Sequence, residues 1–200
     1  MLKLAKPKTL LLASLLLVGL TGCTAMTAQN PSTALSPVNA VEMQGSPRVM
    51  LAGADVVNYF TANSYLQGSP QYSSTYQDVT FHFANPQNKA LFDAAPEKYL
   101  PQYGGYCANG IMFGIPWGGN ASDFKLVDGK LYIFGGATSQ AAFELDLQKN
   151  IALADQYWEQ EVKGSNSFIQ RSKRLVLRVP HYKSGEEQAA QVQAAAKPAN

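Results

Sequence analysis

The clearest patterns along the chain are two pairs of short β-prone runs. The first pair, residues 71–76 and 79–83, contains aromatic and β-branched residues on both sides of a short polar break and predicts a hairpin. The second pair, residues 124–127 and 130–134, flanks an Asp-Gly dipeptide at positions 128–129. Asp-Gly favours the positive φ angles of a tight hairpin turn. The sequence therefore predicts a small antiparallel sheet built from hairpins.

Helical patterns follow each hairpin. Pro86 suits the first turn of a short helix that continues through Phe92, and Pro96 begins another turn. Thr138 is a favourable N-cap residue for a further helix. Apolar residues then recur at spacings of three and four, on one face of a long helix: Phe143, Leu147, Ile151, Ala154 and Trp158. The predicted fold class is α+β: a small antiparallel sheet with short helices and one long amphipathic helix near the C-terminal end of the domain.

Residues 1–22 have the pattern of a secretory signal peptide. Three lysines precede an apolar run over residues 10–20, which is shorter than the roughly 20 residues of a membrane-spanning helix. The run ends in Leu-Thr-Gly-Cys at residues 20–23, which resembles the lipobox of bacterial lipoproteins. The resemblance implies cleavage before Cys23 and lipidation of its sulfur and new amino terminus. The alternative is an ordinary signal peptide followed by an unmodified cysteine.

A lipidated Cys23 implies attachment to a membrane. Several acyl chains hold a protein far more firmly than one, because each buried methylene contributes about 0.8 kcal/mol. Thr24 follows the cysteine in place of the Asp that retains lipoproteins at the inner membrane. For a Gram-negative source, the resemblance therefore implies the outer membrane, with the domain facing the periplasm.

The mature chain divides into three expected segments. Residues 23–46 contain the lipidated cysteine and a stretch rich in Ala, Thr, Ser, Asn and Pro, which predicts a flexible tether. Residues 47–182 form the expected domain. Residues 183–200 are dominated by Ala and Gln and are expected to be a disordered tail, because they supply little apolar surface to bury.

The charge composition argues against nucleic acid as a partner. Charged residues make up 15% of the 200-residue chain, compared with about 25% in typical proteins. The formal net charge of +2 falls to −1 when the three lysines of the signal peptide are removed. A nearly neutral domain lacks the basic footprint of a protein that binds a polyanion.

Several sequence blocks together resemble the YHS-domain family, in particular its exported bacterial branch, over residues 51–158. The first block is Gly-Ala-Asp-Val-Val-Asn-Tyr-Phe at residues 53–60, and the second is Gly-Ser-Pro at residues 68–70. The most specific block is Pro-Gln-Tyr-Gly-Gly-Tyr-Cys-Ala at residues 101–108. Val-Asp-Gly-Lys-Leu-Tyr at residues 127–132 and the helix around Asp155 complete the pattern. The resemblance implies a compact α+β domain.

The chain departs from its metal-handling relatives at two positions. Those relatives place a pair of cysteines where this chain has Ala84 and Asn88. Neither residue supplies the thiolate that binds a soft metal. The resemblance therefore does not carry metal binding over to this protein, and no structural metal is expected. The cofactor remains unassigned.

Cys107 is the only thiol that remains if Cys23 is lipidated. Three interpretations stay open for it: a packed apolar side chain, a ligand or nucleophile, and an intermolecular bridge. If a metal binds, His82 and Cys107 are the candidate donors, and thiolate with imidazole suits copper or zinc. Asp55 and Met112 are further candidates.

The candidate ligand-binding residues are Asp55, Tyr106, Cys107 and Trp117. Asp55 belongs to the first family-like block, and its alternative role is to cap the turn that follows it. Trp117 lies in a Gly-rich loop, residues 113–120, that departs from the family. The glycine pairs of the chain lack the frame of a phosphate-binding loop and indicate turns or close backbone approaches instead.

A basic strip with β-prone residues, residues 171–179, follows the family-like region. It favours a solvent-exposed edge strand, with contact to anionic lipid or cell-wall polymer as the alternative. The preferred function is a lipid-anchored binding module for a small ligand, a metal or an envelope partner. The alternatives are a structural envelope component and a Cys-dependent enzyme, for which the sequence shows no base near the thiol. No catalytic residue is assigned.

Overall fold

The computed structural model describes residue 35, residues 37–43 and residues 45–197. The expected signal peptide at 1–22, the lipidation site Cys23 and most of the expected tether lie outside the described residues. The strands are β1 (Ala40–Met43), β2 (Ser46–Met50), β3 (Ser69–Tyr76), β4 (Val79–Phe83), β5 (Asn120–Val127) and β6 (Lys130–Phe134). The α-helices are α1 (Asn58–Ala62), α2 (Pro86–Ala94), α3 (Pro96–Tyr99), α4 (Ala108–Ile111), α5 (Ala137–Glu144), α6 (Leu147–Tyr157), α7 (Ser167–Val176) and α8 (Gly185–Ala196).

The strands form two sheets, and the fold class is α+β as predicted. The larger sheet has the order β1-β2-β4-β3, and the smaller one is the β5-β6 hairpin. Both predicted hairpins are confirmed, with Tyr76 opposite Val79 and Val127 opposite Lys130 at the turns. The larger sheet is not wholly antiparallel, because β2 pairs with β4 in parallel at Val49 and Thr80.

Strand β6 lies between two hydrophobic cores. Leu131 and Ile133 point into the core beneath the larger sheet, which is filled by Tyr59, Phe81 and other apolar side chains. The alternate residues Tyr132 and Phe134 point into a second core against the helices. Because successive side chains of a strand point to opposite faces, one short strand joins both cores.

The expected tether contains part of the fold. Val38 and Ala40 are buried in the core, and β1 pairs with β2. The polar residue between them, Asn39, donates its side-chain amide to the carbonyls of Gly105 and Gly119. Residues 37–43 therefore belong to the domain, because their apolar positions alternate with a polar residue that is fully bonded.

The expected disordered tail contains helix α8. Ser184 and Glu187 form a reciprocal capping box at its start, and α8 packs against α5. Alanine and glutamine are favourable in helices. The domain consequently extends past residue 182 to include α8, whereas the sequence had placed its boundary before this helix.

Three further predictions are wrong. The expected long helix is two helices, since α5 ends at Glu144 and α6 begins after Asp146, whose φ and ψ of −145° and 65° are not helical. Gly136, not Thr138, precedes the first turn of α5. The basic strip is helical up to Val176 as part of α7, so it is not an edge strand. In the part of the chain that the structure describes, no helix is long and apolar enough to cross a membrane.

Candidate functional site

Asp55 is completely buried, and both of its carboxylate oxygens accept hydrogen bonds. Oδ1 accepts from the backbone N–H groups of Val57 and Asn58 at 3.0 and 3.2 Å. Oδ2 accepts from the backbone N–H of Ala84 at 2.8 Å and from the side chain of Asn88 at 2.7 Å. Asp55 thus caps α1 and ties it to the end of β4. Its oxygens are occupied by the protein, which supports the alternative role of capping the turn that follows it, and its assignment to ligand binding stays a prediction.

His82 lies on β4 and is 2% exposed. Its ring packs beside Gly53, where an added Cβ would lie 3.0 Å from Nδ1. Nδ1 has no hydrogen-bond partner among the described residues. Burial lowers the pKa of His82, because the charged imidazolium is disfavoured away from water. His82 is therefore a neutral, buried side chain of the larger sheet.

Cys107 is held beside strand β6 and precedes helix α4. Its backbone forms a bridge with Ile133, and its N–H donates to the carbonyl of Trp117 at 2.9 Å. The side chain is 2% exposed, and its Sγ lies 3.8 Å from the hydroxyl of Ser139. Burial raises the pKa of the Cys107 thiol, and this effect outweighs the opposing hydrogen bonds. The thiol is therefore protonated at neutral pH, which argues against a nucleophile.

A cavity of about 300 Å³ opens beside Cys107. It is lined by Cys107, Asn109, Trp117, Gly118, Gly135, Ser139, Gly185 and Gln188. No residue of this lining carries a formal charge. The glycines leave room here: a Cβ added to Gly135 would touch the Cys107 side chain, and one added to Gly118 would meet open space. The glycine pairs therefore make close approaches around a cavity, with no phosphate-loop geometry.

Asn109 places a buried polar group on the wall of this Cys107 cavity. Asn109 is 2% exposed, and its side-chain amide donates to Oε1 of Gln188 in α8 at 2.7 Å. Its other side-chain atom, Oδ1, is buried and has no hydrogen-bond partner among the described residues. A buried acceptor without a partner costs about 1 to 3 kcal/mol. Asn109 therefore brings an unpaired buried acceptor to the set of residues that line the cavity.

The sequence candidates do not form one site. Cys107 and Trp117 both line the Cys107 cavity, whereas Tyr106 points elsewhere and its hydroxyl donates to the carbonyl of Val38 at 3.1 Å. Tyr106 is fully buried, and its bond to Val38 connects the segment before β1 to the rest of the domain. The position of Tyr106 therefore indicates a structural role, and its assignment to ligand binding stays a prediction.

The proposed metal donors are also separated. His82 does not line the Cys107 cavity and lies instead on the larger sheet, beside Gly53. Met112 belongs to a different cavity. Among residues 35, 37–43 and 45–197, no group of three or more His, Cys, Asp or Glu side chains is arranged to hold a metal ion.

A larger cavity, of about 470 Å³, lies between α5, α6 and α8. Met112, Leu153 and His181 contribute to its mostly apolar lining. The backbone carbonyl of Met112 is already bonded to Nε2 of His181 at 2.8 Å. None of the described lining residues carries a buried polar side-chain atom that lacks a partner. Although this cavity is larger than the Cys107 cavity, its lining offers no unpaired polar group, so we prefer the Cys107 cavity as the candidate ligand site.

The sequence analysis missed Asn109, Ser139 and Gln188. Asn109 directly follows the most specific family-like block, so its position was the one available signal. Ser139 and Gln188 reach the cavity only through the packing of α5 and α8, and nothing local in their sequence indicates it.

Comparisons of the chain with protein-family models, with curated proteins and with solved structures found no match, so the resemblance to the YHS-domain family rests on the sequence blocks alone.

Proposed function

We propose that this protein is a lipid-anchored cell-envelope protein that binds a small, uncharged ligand in the Cys107 cavity. The observation that carries this proposal is the Cys107 cavity, whose lining includes Asn109, a residue with a buried Oδ1 that has no partner among the described residues. A ligand whose entry uncovers this atom and that donates a hydrogen bond to it recovers the free energy otherwise lost by burying it unpaired.

The lining indicates the chemical class of the ligand. A charged ligand would find no counter-ion, because the lining residues are uncharged and the raised pKa of Cys107 keeps its thiol neutral. The half-buried ring of Trp117 offers an apolar face. A volume of about 300 Å³ is at the small end of ligand sites. We therefore propose a compact, neutral organic molecule with at least one N–H or O–H donor.

The membrane setting of the proposal comes from the N-terminal sequence. The apolar run and the Leu-Thr-Gly-Cys block support acylation of Cys23. The residue after the cysteine, Thr24, supports transfer to the outer membrane of a Gram-negative cell, with the domain in the periplasm. The family-like blocks support a YHS-like binding domain. An envelope protein is a further candidate partner.

A Cys-dependent enzyme is a weaker proposal. No His, Asp, Glu or Lys lines the cavity beside Cys107, so no described side chain there can take the proton of the thiol. The neighbouring hydroxyl of Ser139 donates to the carbonyl of Gly136 at 2.8 Å and is not a base.

The proposal is tested with a variant that fills the cavity. Gly118→Leu places a side chain in open space beside Cys107, and Ala190→Leu adds the same side chain at an exposed position of α8 outside the lining. Wild type and both variants are purified from their own membranes, denatured, and analysed for released small molecules by mass spectrometry. We expect one neutral compound with wild type and Ala190→Leu and its loss with Gly118→Leu. Equal recovery from all three proteins would refute ligand binding in this cavity.

A further inference from the structure

Helix α7 is amphipathic, but it buries its polar side and exposes its apolar side. Its polar residues face the protein: Ser167 and Gln170 are almost completely buried, and the side chain of Arg174 is 14% exposed. Its apolar residues face outward, with Ile169 and Val176 exposed by 64% and 80%. A surface helix normally buries its apolar stripe and exposes its polar face.

The inward polar face is held by specific hydrogen bonds. Gln170 donates to the carbonyl of Gly114 at 3.0 Å, and Arg171 donates to the carbonyl of Pro116 at 2.7 Å. Arg174 forms an ion pair with Glu161. These contacts fix the rotation of the helix about its axis. The outward direction of the apolar side chains is therefore set by the packing of the domain.

The exposed apolar side chains lie towards the two ends of the helix, and we call them together the α7 stripe. It consists of Phe168, Ile169, Leu175, Val176 and, just after the helix, Leu177. Phe168 and Leu175, like Ile169 and Val176, are seven residues apart, so each pair lies on the same side of the helix, two turns apart. Exposed apolar side chains grouped on one side of a helix favour an interaction site.

The charge around the α7 stripe is net positive. Residues 159–179 contain five basic residues and two acidic residues, Glu159 and Glu161. Lys173, which pairs with Glu161 at 3.2 Å, has its side chain 47% exposed, and Arg178 is exposed just beyond the helix. Basic residues beside Phe, Ile and Leu are the composition of helices that lie in the interface of an anionic bilayer.

The N-terminal end of the described chain lies on the same part of the molecule. Leu35 and Lys163 line one cavity, and Lys163 is four residues before the start of α7. Only residues 24–34 separate Leu35 from Cys23, and a fully extended chain of that length spans at most about 40 Å. If Cys23 carries lipid, the bilayer is consequently within reach of this side of the domain.

We propose that the α7 stripe docks the domain onto an anionic phospholipid surface, with Ile169 and Val176 inserted among the lipids and Lys173 and Arg178 at the headgroups. The cellular setting rests on the lipid anchor proposed above. The docking surface itself is part of the folded domain and is independent of both the acyl chains and the Cys107 cavity.

A second copy of the chain fits this surface less well. Two-fold pairing of the α7 stripe would bring the exposed Arg178 of both copies to one interface. The helix contains no acidic residue, and the neighbouring Glu161 is already shared by Lys173 and Arg174. An anionic lipid surface instead meets both the apolar and the basic parts of the stripe.

The test uses the chain from Thr24 onward, which lacks the acyl anchor and keeps every residue that the structure describes. Its binding is measured by co-sedimentation with vesicles of phosphatidylcholine alone and with vesicles that contain about 30% phosphatidylglycerol. We expect binding to the anionic vesicles, weakened when salt is raised from about 0.1 to 1 M. The variant Ile169→Glu, Val176→Glu should bind at least about tenfold more weakly, because it removes two inserted apolar side chains.

The matched control is Leu66→Glu, Leu91→Glu. These leucines are 41% and 44% exposed on other parts of the domain, so the control adds the same charge. It should bind anionic vesicles like the wild type, and thermal melting should show that both variants are folded.

Equal binding by the stripe variant and the wild type, or no vesicle binding by the wild type, would overturn the proposal. Self-association that the stripe variant abolishes, without vesicle binding, would assign the stripe to a second copy instead. Acylation of Cys23 is measured separately, so its failure would not be mistaken for failure of docking.

Discussion

Asn88 donates its side-chain amide to Oδ2 of Asp55 at 2.7 Å, across 33 residues of sequence. The side chain of Asn88 thus helps to hold a buried carboxylate. The backbone N–H of Ala84 bonds to the same oxygen. Ala84 and Asn88 therefore belong to one hydrogen-bonded cluster that joins α1, β4 and α2.

The first prediction concerns this cluster. Asp55→Asn turns one oxygen that accepts two hydrogen bonds into an NH₂ group that faces two donors. We expect the free energy of unfolding to fall by about 2 to 4 kcal/mol, measured by denaturant unfolding. The control Asp128→Asn, at an exposed carboxylate in the β5-β6 turn, should change it by less than about 0.5 kcal/mol. Equal stability of Asp55→Asn and the wild type would contradict the structural role of Asp55.

The second prediction concerns the reactivity of Cys107. Because burial raises the pKa of this thiol and excludes reagents, alkylation of the native protein near pH 7.5 should be at least about a hundredfold slower than in guanidinium. The unfolded thiol ionises near its ordinary pKa of 9, whereas the folded one does not. Its contribution to folding stability is therefore present below pH 9 and declines above it. Fast alkylation of the native state would show that Cys107 is accessible.

The third prediction concerns Glu161, which accepts hydrogen bonds from Gln170, Lys173 and Arg174. Burial acts to raise the pKa of Glu161, but these donors together lower it. A lowered folded pKa means that the carboxylate stabilises the fold above about pH 4.5 and that this contribution is lost as the pH falls further. Glu161→Gln should therefore lose about 1 to 2 kcal/mol at pH 7 and differ less from the wild type near pH 3.

The matched control for that prediction is Glu159→Gln. Glu159 is exposed and pairs with Lys163 at 3.0 Å on the surface, so its loss should change stability by less than about 0.5 kcal/mol. The free energies of unfolding of the wild type, Glu161→Gln and Glu159→Gln are measured with denaturant at pH 7 and near pH 3. If the difference in unfolding free energy between the wild type and Glu161→Gln grew as the pH fell, the lowered pKa of Glu161 would be wrong.

The fourth prediction concerns the contact between α4 and α8. Gln188→Ala leaves the buried amide of Asn109 without its acceptor, so the free energy of unfolding should fall by about 1 to 2 kcal/mol. Gln193→Ala, at an exposed position of the same helix, should have almost no effect. Hydrogen exchange should also be faster throughout α8 in Gln188→Ala. A variant as stable and as protected as the wild type would mean that this hydrogen bond does not hold the helix.

The fifth prediction concerns Cys23. Cells that express the wild type in the presence of a labelled fatty acid should incorporate the label into this protein, and Cys23→Ser should abolish it, because the thioether needs the sulfur atom. The same substitution should move protein from the membrane to the soluble fraction. Label that persists in Cys23→Ser would show that the lipobox assignment is wrong.

The hairpins were predictable because their signals are local. Asp128 and Gly129 have φ angles of 51° and 74° in the β5-β6 turn, as the Asp-Gly pair requires. Pro86 likewise begins α2, and Asn85 caps it by accepting from the backbone N–H of Asn88. In each case a few adjacent residues determine the conformation.

The C-terminal helices depend on distant partners and were missed for that reason. Leu175, Val176 and Leu177 favour a strand by their own preferences, but the bonds of Gln170 and Arg174 to other elements support a helix. The composition of α8 fits both a helix and a disordered tail. Only its packing on α5 and the contact with Asn109 distinguish the two, and a single sequence does not display either.

The hydrogen bond between Asn109 and Gln188 spans 79 residues, so the two sides of the cavity are synthesised at different times. Because synthesis runs from the N-terminus, Cys107 and Trp117 are made well before α8. The wall of the cavity that Gln188 contributes is added late, after most of the domain has been synthesised. If the cavity binds the proposed ligand, a chain terminated before α8 would therefore keep the cysteine and the tryptophan but would not retain that ligand.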